Sequence, residues 1–256
     1  QFLKKGESIT LTWEVSERNV NDFSECVKQI WEYSYDLYKP EPVNTPYSDE
    51  KMKEVLSNFF VESYVDDTPT KYYSGVELRT ATCENLDVAE VGFVGRTLLN
   101  AFNALEYGEG KQRADLVKNA NSIFDSYLQH GFSEAGFFNE VVHYKRNFVE
   151  KNHSIRRQSE GVYAVLYYLN YEKQHGRKHP EWEKRLKTML DAFLKLQNPD
   201  GSFPRKFKDD FSLVDKSGGS TPSATLPLVM GYKYFKDKRY LEAAKRSAFY
   251  VNIQIF

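Results

Sequence analysis

The sequence predicts an all-α chain of paired helices stacked side by side, on three observations. Apolar residues recur at three- and four-residue steps over most of the chain. Helices apolar on every side alternate with amphipathic ones, and two of the connecting turns carry closely similar residues.

Taken in order, the opening stretch from Gly6 to Val15 alternates apolar and polar positions and is β-branched, which reads as one half-buried strand. A single strand lacks a partner, so residues 1–18 are assigned to a strand and linker left from a preceding β-domain, and 19–256 to a truncated helical domain. From about Asn21 the pattern turns helical through Phe23, Cys26, Val27, Ile30, Trp31, Ser34 and Leu37, and Lys39-Pro40-Glu41-Pro42 ends it. A second helix is expected from Ser48 to Tyr64, with Ser48 as N-cap and Asp49 and Glu50 in its first turn. A loop or short strand pair follows around Tyr72 to Cys83.

Six further helices alternate in character. Residues 87–107, 161–172 and 224–235 are apolar nearly all round and must be enclosed by other elements. Residues 111–129, 181–197 and 238–251 are amphipathic, as Leu186, Met189, Leu190, Phe193 and Leu194 against Glu183, Lys184, Lys187 and Asp191 show. Pairs spaced roughly 60 to 70 residues apart imply inner helices lining an axis and outer helices wrapping them. Phe124–Leu128 before Gly136-Phe137-Phe138 echoes Leu190–Leu194 before Gly201-Ser202-Phe203. Pro180 falls near the first position of one outer helix, and Thr221-Pro222 opens an inner one, unless Pro227 shifts that start to Thr225.

Composition excludes several classes. With 35 Lys and Arg against 36 Asp and Glu, and no block of like charges, the chain lacks the footprint of a nucleic-acid binder. No apolar run approaches the roughly 20 residues that span a bilayer, so no membrane partner is expected. Two cysteines, Cys26 and Cys83, exclude a disulfide framework and a Cys-rich zinc module. The 18 Phe, 18 Tyr and 3 Trp suit stacking on sugars or packing of large helices.

The run Leu194–Phe203, with Gln197-Asn198-Pro199-Asp200-Gly201, resembles the helix-end turn of (α/α) toroid proteins. These include six-hairpin glycosidases, uronate-processing hydrolases and lyases, sugar epimerases and, more distantly, terpenoid cyclases. The resemblance implies an incomplete or open (α/α) toroid, because a closed one has about twelve helices and about eight are expected here. It also implies a glycan substrate, an upstream β-sandwich domain of the same polypeptide, and export from a bacterial cell.

In such a fold the convergent polar groups belong at inner-helix ends and the loops entering them. Glu84-Asn85-Leu86-Asp87, with Glu90 one turn on, offers carboxylates for acid and base work, or helix capping by Asn85 or Asp87. Arg156-Arg157-Gln158-Ser159-Glu160-Gly161 offers guanidinium groups suited to carboxylate-bearing sugars and a Glu160 able to protonate a leaving glycosidic oxygen. Equally, Ser159 could cap the helix while Arg157 pairs with Glu160. The stretch Asp209-Asp210 to Asp215-Lys216-Ser217-Gly218-Gly219-Ser220-Thr221 offers backbone N–H groups before a helix, or a plain turn. Glu160, Glu90 and Asp87 are therefore the catalytic candidates, and Arg157, Gln158, Tyr163, Asp215 and Ser220 the substrate-binding ones.

His175 and His179 lack a zinc-binding pattern, no nucleophile elbow or dinucleotide fingerprint is present, and no metal or cofactor is expected. The leading expectation is a glycoside hydrolase or polysaccharide lyase. A non-catalytic helical-repeat scaffold is the second reading, and an isoprenoid-handling toroid with a dry aromatic cavity the third.

Overall fold

The structure is a computed structural model that describes residues 3–42, 44–74, 76–77, 84–85, 87–93 and 96–255. Cys83, Leu86, Val94 and Gly95 lie outside the described residues, as do the side chains of Glu84 and Asn85. Backbone contacts divide the chain into one compact unit ending at Thr45 and a second running from Pro46 to Ile255, a later division than the sequence boundary at residue 18.

The first unit contains α1 (Phe23–Tyr38). Asp22 caps it by accepting the Glu25 N–H at 2.8 Å, and Lys39 in the left-handed region closes it before Pro40. The expected strand from Gly6 to Val15 does not form. Residues 3–22 have no strand and are exposed throughout. Alternation produces a strand only where a neighbour completes the backbone ladder, and no described segment does so here.

The second unit is built from helical hairpins. In chain order it holds α2 (Asp49–Glu62), β1 (Tyr64–Val65), β2 (Tyr72–Tyr73), β3 (Val76–Glu77), β4 (Glu84–Asn85), β5 (Val88–Glu90), α3 (Thr97–Gly110) and α4 (Ala114–His130). Next come β6 (Val141–His143), β7 (Phe148–Val149), β8 (His153–Ser154), α5 (Ile155–Gln174), α6 (Pro180–Leu196), β9 (Lys206–Phe207), β10 (Leu213–Asp215), a 3-10 turn (Gly218–Ser220), α7 (Thr221–Phe235) and α8 (Lys238–Ile255).

The expected alternation is present. Helix α3 packs on α5 and α5 on α7, forming the inner row, while α4, α6 and α8 each pair with the preceding inner helix. The inner helices are apolar because they are enclosed: Leu98, Ala101, Leu105, Val162, Val165, Leu166, Ala224 and Leu228 are buried. The outer helices contribute one face each, including Leu116, Ile123 and Phe124 from α4 and Trp182, Leu186 and Phe193 from α6. Each large side chain so enclosed stabilises the unit by about 2 kcal/mol.

The two turns that echo each other in sequence have one conformation. Ser133 N–H donates to the Phe137 carbonyl at 2.8 Å and Gly136 N–H to Ser133 at 3.0 Å, while Asn198 and Gly201 make the corresponding bonds to Ser202 and Asn198 at 2.9 and 3.0 Å. Gly136 and Gly201 take the left-handed conformation at φ 87° and 91°, which a side chain would strain. Each turn then directs buried phenylalanines, Phe137 and Phe138 or Phe203, under the next inner helix.

Two helix starts differ from expectation, and a third keeps the first of its two expected positions. The apolar run from Val88 is not the opening of an inner helix, since Val88–Glu90 forms β5 and pairs antiparallel with β6, Ala89 opposite Val142. A short buried run rich in valine fits strand or helix alike, and the partner strand decides. Helix α5 starts six residues before Gly161, with Ser154 rather than Ser159 at its N-cap position. Helix α7 keeps Pro222 in its first turn and includes Pro227, so the start does not slip to Thr225.

Candidate functional site

Short hairpins connect the outer helices to the inner ones and crowd around the N-terminal ends of α3, α5 and α7. Strands β8, β9 and β10 form one three-stranded sheet, and β5, β6 and β7 another. Beside the first of them opens a cleft of about 230 Å³ lined by Phe93, Ser154, Arg156, Arg157, Arg205, Lys206 and Ser220. Its floor is the first turn of α5 and its rim comes from the loop before α3, from β9 and from the residue preceding α7. The 360 Å³ hollow of the first unit, lined in part by Val20, Cys26, Ile30 and Tyr33, gathers a single cation, Arg18.

The residues that follow β5 lie close to α5. Phe93 and Arg96 there, and Asp87 just before β5, adopt positive φ of 65°, 40° and 50°, which costs non-glycine residues of order 1 kcal/mol each and persists where the surroundings hold it. Gly92 permits the approach. A Cβ there would lie 2.8 Å from both the Arg157 Cα and the Glu160 carboxylate. The Phe93 N–H consequently donates to Glu160 Oε2, and Glu160 also accepts from Arg156 Nε at 3.2 Å, with Arg96 Nε 3.7 Å away. The ring of Phe93 stays 47% exposed, with the Arg156 guanidinium 4.7 Å and that of Arg157 5.7 Å from its centroid.

Of the carboxylate candidates, Glu90 and Glu160 meet at this mouth through the arginines, and Asp87 does not. Arg157, expected to pair with Glu160, instead reaches Glu90 at 3.0 Å, because the helix begins earlier and turns Arg156 toward Glu160. Asp87 forms an ion pair with Lys145 and is followed by strand β5, so it is not a helix N-cap. Ser159 is buried with no hydrogen-bond partner for its hydroxyl among the described residues, and the N-cap position of α5 is Ser154.

Gln158 is fully buried at 0% exposure, and its amide is taken up by the backbone of Phe138, accepting from the N–H at 2.9 Å and donating to the carbonyl at 2.8 Å. It therefore supports the site from beneath and has no open face for a substrate. Tyr163 is half-buried against the core, edge-on to Tyr167, and although it is not among the residues lining the cleft its hydroxyl senses the charges of Arg96, Glu160 and Arg156 at this mouth. Asp215 borders the cleft indirectly, 3.5 Å from Arg205 Nη1, whereas Ser220 lines it.

Sequence reasoning missed Glu140. It is 1% exposed, its Oε1 accepts from the Ser154 N–H and, at 3.0 Å, from Gln158 Nε2, and its Oε2 has no hydrogen-bond partner among the described residues. Burial pushes its carboxyl up to about 8; the Ser154 N–H, the Gln158 amide and the Arg157 guanidinium 3.9 Å away only partly counteract this. A neutral acid therefore sits behind Arg157 at neutral pH. Behind it a second buried group, His153, donates from Nε2 to Asp209 Oδ1 at 2.7 Å, and Ser133 donates to the same oxygen at 2.6 Å. Burial works to raise the Asp209 carboxyl, but these two donors outweigh it and hold it below the usual range. Among the described residues no group of three or more His, Cys, Asp or Glu is placed to hold a metal ion. Among the described residues, too, no helix is long and apolar enough to cross a membrane.

No protein-family model and no curated protein matches the chain. Solved structures do. A possible member of the GH105 family from Salmonella enterica matches at TM-score 0.61 and 13% identity over 91% of this chain and 57% of that protein. Cellobiose 2-epimerase from Bacillus thermoamylovorans B4167 matches at 0.61 and 12%, over 80% and 53%. The unsaturated glucuronyl hydrolase of Bacillus sp. GL1 matches at 0.58 and 14%, over 79% and 56%. The chain thus spans little more than half the length of the solved proteins it resembles. With its alternating inner and outer helices, the second unit has the fold of the (α/α) toroids.

Proposed function

We propose that this toroid acts on a glycan held in the cleft at the N-terminal mouth of α3, α5 and α7. One observation carries the reading: three inner-helix starts, distant in sequence, converge on one opening lined by four cations and an exposed aromatic ring, two of whose arginines are paired with the carboxylates of Glu90 and Glu160. The sugar-acting neighbours of the same fold support it. A basic, polar lining does not suit an isoprenoid chain, whose cavity would be dry and apolar.

Within this reading Glu90 is the proton-transfer group. Its side chain is partly accessible and lies beside the Arg157 guanidinium, which orients it. Glu160 has both carboxylate oxygens occupied by the Phe93 N–H and Arg156, so it holds the strained loop and the arginine in place. Hydrolysis would require protonation of the leaving glycosidic oxygen and activation of water by a carboxylate; elimination would require proton abstraction from the sugar ring.

The test is a panel of neutral and acidic oligosaccharides assayed for new reducing ends and for unsaturated products. Wild type is expected to release one of these. Glu90→Gln is expected to reduce the rate by about 10² to 10⁴ with the fold intact, the usual contribution of a positioned acid or base. Binding with no product from any glycan would make the domain a binding module, and activity unaltered in Glu90→Gln would remove Glu90 from the role.

A further inference from the structure

The cleft carries more positive charge than its carboxylates neutralise. Around it stand Arg96, Arg156, Arg157, Arg205 and Lys206, against the carboxylates of Glu90, Glu160 and Asp215. Arg96 and Arg156 share Glu160, Arg157 has Glu90, and Arg205 has Asp215 at 3.5 Å. Lys206 has no carboxylate within 4.0 Å among the described residues. Glu140, the remaining carboxyl near Arg157, is fully enclosed and presents an oxygen with no hydrogen-bond partner instead of a solvated charge. This surplus is local, because the chain as a whole carries a net charge of −1.

The cations also differ in how they are held. Arg156 and Arg157 are fixed on the first turn of α5 by their carboxylate partners and by the Phe93 ring. Arg205 and Lys206 stand on the facing edge, at the start of β9, and both are exposed. A ligand entering between these walls meets guanidinium groups on one side, an ammonium and a guanidinium on the other, and an exposed aromatic ring at the rim. Planar guanidinium groups match carboxylate and ester oxyanions in pairs of hydrogen bonds, and an aromatic face suits the apolar side of a sugar ring.

We propose that the glycan taken by this cleft is acidic, a sugar bearing a carboxylate or a sulfate ester, with Arg205 and Lys206 as its recognition pair and Phe93 as its stacking surface. The inference rests on the glycan-acting reading above and narrows it to a substrate class. Arg205 and Lys206 are recognition residues distinct from Glu90, so losing them changes which sugar is chosen.

Calorimetric titration of the chain separates the possibilities, using an oligouronate, a sulfated oligosaccharide and a neutral oligosaccharide of comparable length. The acidic ligands are expected to bind at least about tenfold more tightly than the neutral one, the effect of a single charge-assisted hydrogen bond. Added salt should erode that advantage, and the tighter of the two acidic arms identifies the anionic group. Arg205→Gln/Lys206→Gln, at two exposed positions, should bring acidic and neutral affinities within about threefold of each other, the charge-assisted contribution having been removed. Neutral glycan bound as tightly as acidic, or an acidic preference unchanged by the double substitution and by salt, overturns the acidic-substrate inference and leaves the glycan-acting reading standing. Absence of binding to all three ligands overturns both.

Discussion

Helix α5 ends in arginine and glutamate at both its termini, and the two ends have opposite electrostatic character. At the C-terminal end Glu172 is buried, Arg177 donates to it twice, at 2.9 and 2.5 Å, and His179 lies 2.7 Å from its other oxygen. Arg177 also reaches Glu109 at 2.9 Å, which accepts from the Tyr171 hydroxyl at 2.6 Å. Each of these four side chains, Glu109, Glu172, Arg177 and His179, has a charged partner. At the N-terminal end the cations exceed the carboxylates, a buried carboxyl oxygen has no hydrogen-bond partner among the described residues, and two non-glycine residues of the adjoining segment, Phe93 and Arg96, have positive φ. Similar side chains form a structural clamp in one place and a candidate binding site in the other, and completeness of pairing distinguishes them.

That contrast can be broken by substitution. The largest expected effect is the rate loss in Glu90→Gln, which should leave thermal unfolding close to wild type. Glu172→Gln should do the reverse, lowering stability by about 2 kcal/mol because Arg177 and His179 lose the charge that pairs them, while the cleft keeps its ligand affinity. Chemical denaturation and a binding titration on the same sample check both halves. An equal loss of binding and stability in either variant would mean that the two ends are not separable.

The two buried glutamates should also give opposite pH dependence. Burial works to raise the Glu172 carboxyl, but Arg177 and His179 outweigh it and hold it below the usual glutamate range. Its stabilisation is therefore complete above that range and is lost as pH falls below it. Glu140, pushed up to about 8 by burial, keeps a proton that the unfolded chain releases near 4.5. Its contribution to stability accordingly falls as pH rises from about 4.5 to about 8, by about 1 kcal/mol per unit. Glu140→Gln retains an oxygen for the Ser154 N–H and the Gln158 amide, so it should flatten that decline. Denaturation midpoints at pH 5, 6.5 and 8 would show it, and a parallel decline in both proteins would contradict the assignment.

The smallest effect concerns the paired turns. Gly136→Ala should cost about 1 kcal/mol, for the left-handed conformation alone. Gly201→Ala should cost more, because its Cβ would lie 2.3 Å from the Arg246 carbonyl of α8, whereas none of the described atoms beyond its chain neighbours lies within 4 Å of that position at Gly136.

The helical architecture was legible because enclosure and half-exposure leave different periodicities: Val162–Leu169 is apolar on all faces, while Leu186 to Leu194 is apolar on one. The Asn198–Gly201 turn was legible because its conformation demands glycine. Val88–Glu90 misled because a buried valine-rich run carries no period, and its partner strand lies some 50 residues onward. The segment Gly6–Val15 misled for the complementary reason, a period without a partner. In the site, Glu90, Arg157 and Ser220 could be found from their positions near inner-helix starts. Phe93, Arg205 and Lys206 could not, since the connections bring them together from loops with no motif. Glu140 left one usable signal, a carboxylate between Phe137-Phe138 and Val141-Val142, in a stretch otherwise suited to burial.

The central claim is that the incompletely neutralised end of α5, and not its clamped end, receives the ligand. Hydrogen–deuterium exchange with and without a bound oligouronate tests it most directly. Slower exchange is expected at Gly92 and Phe93, from His153 to Gln158, at Arg205 and Lys206, and from Gly218 to Thr221. Protection confined to Glu109 and the stretch from Glu172 to His179 would contradict the account.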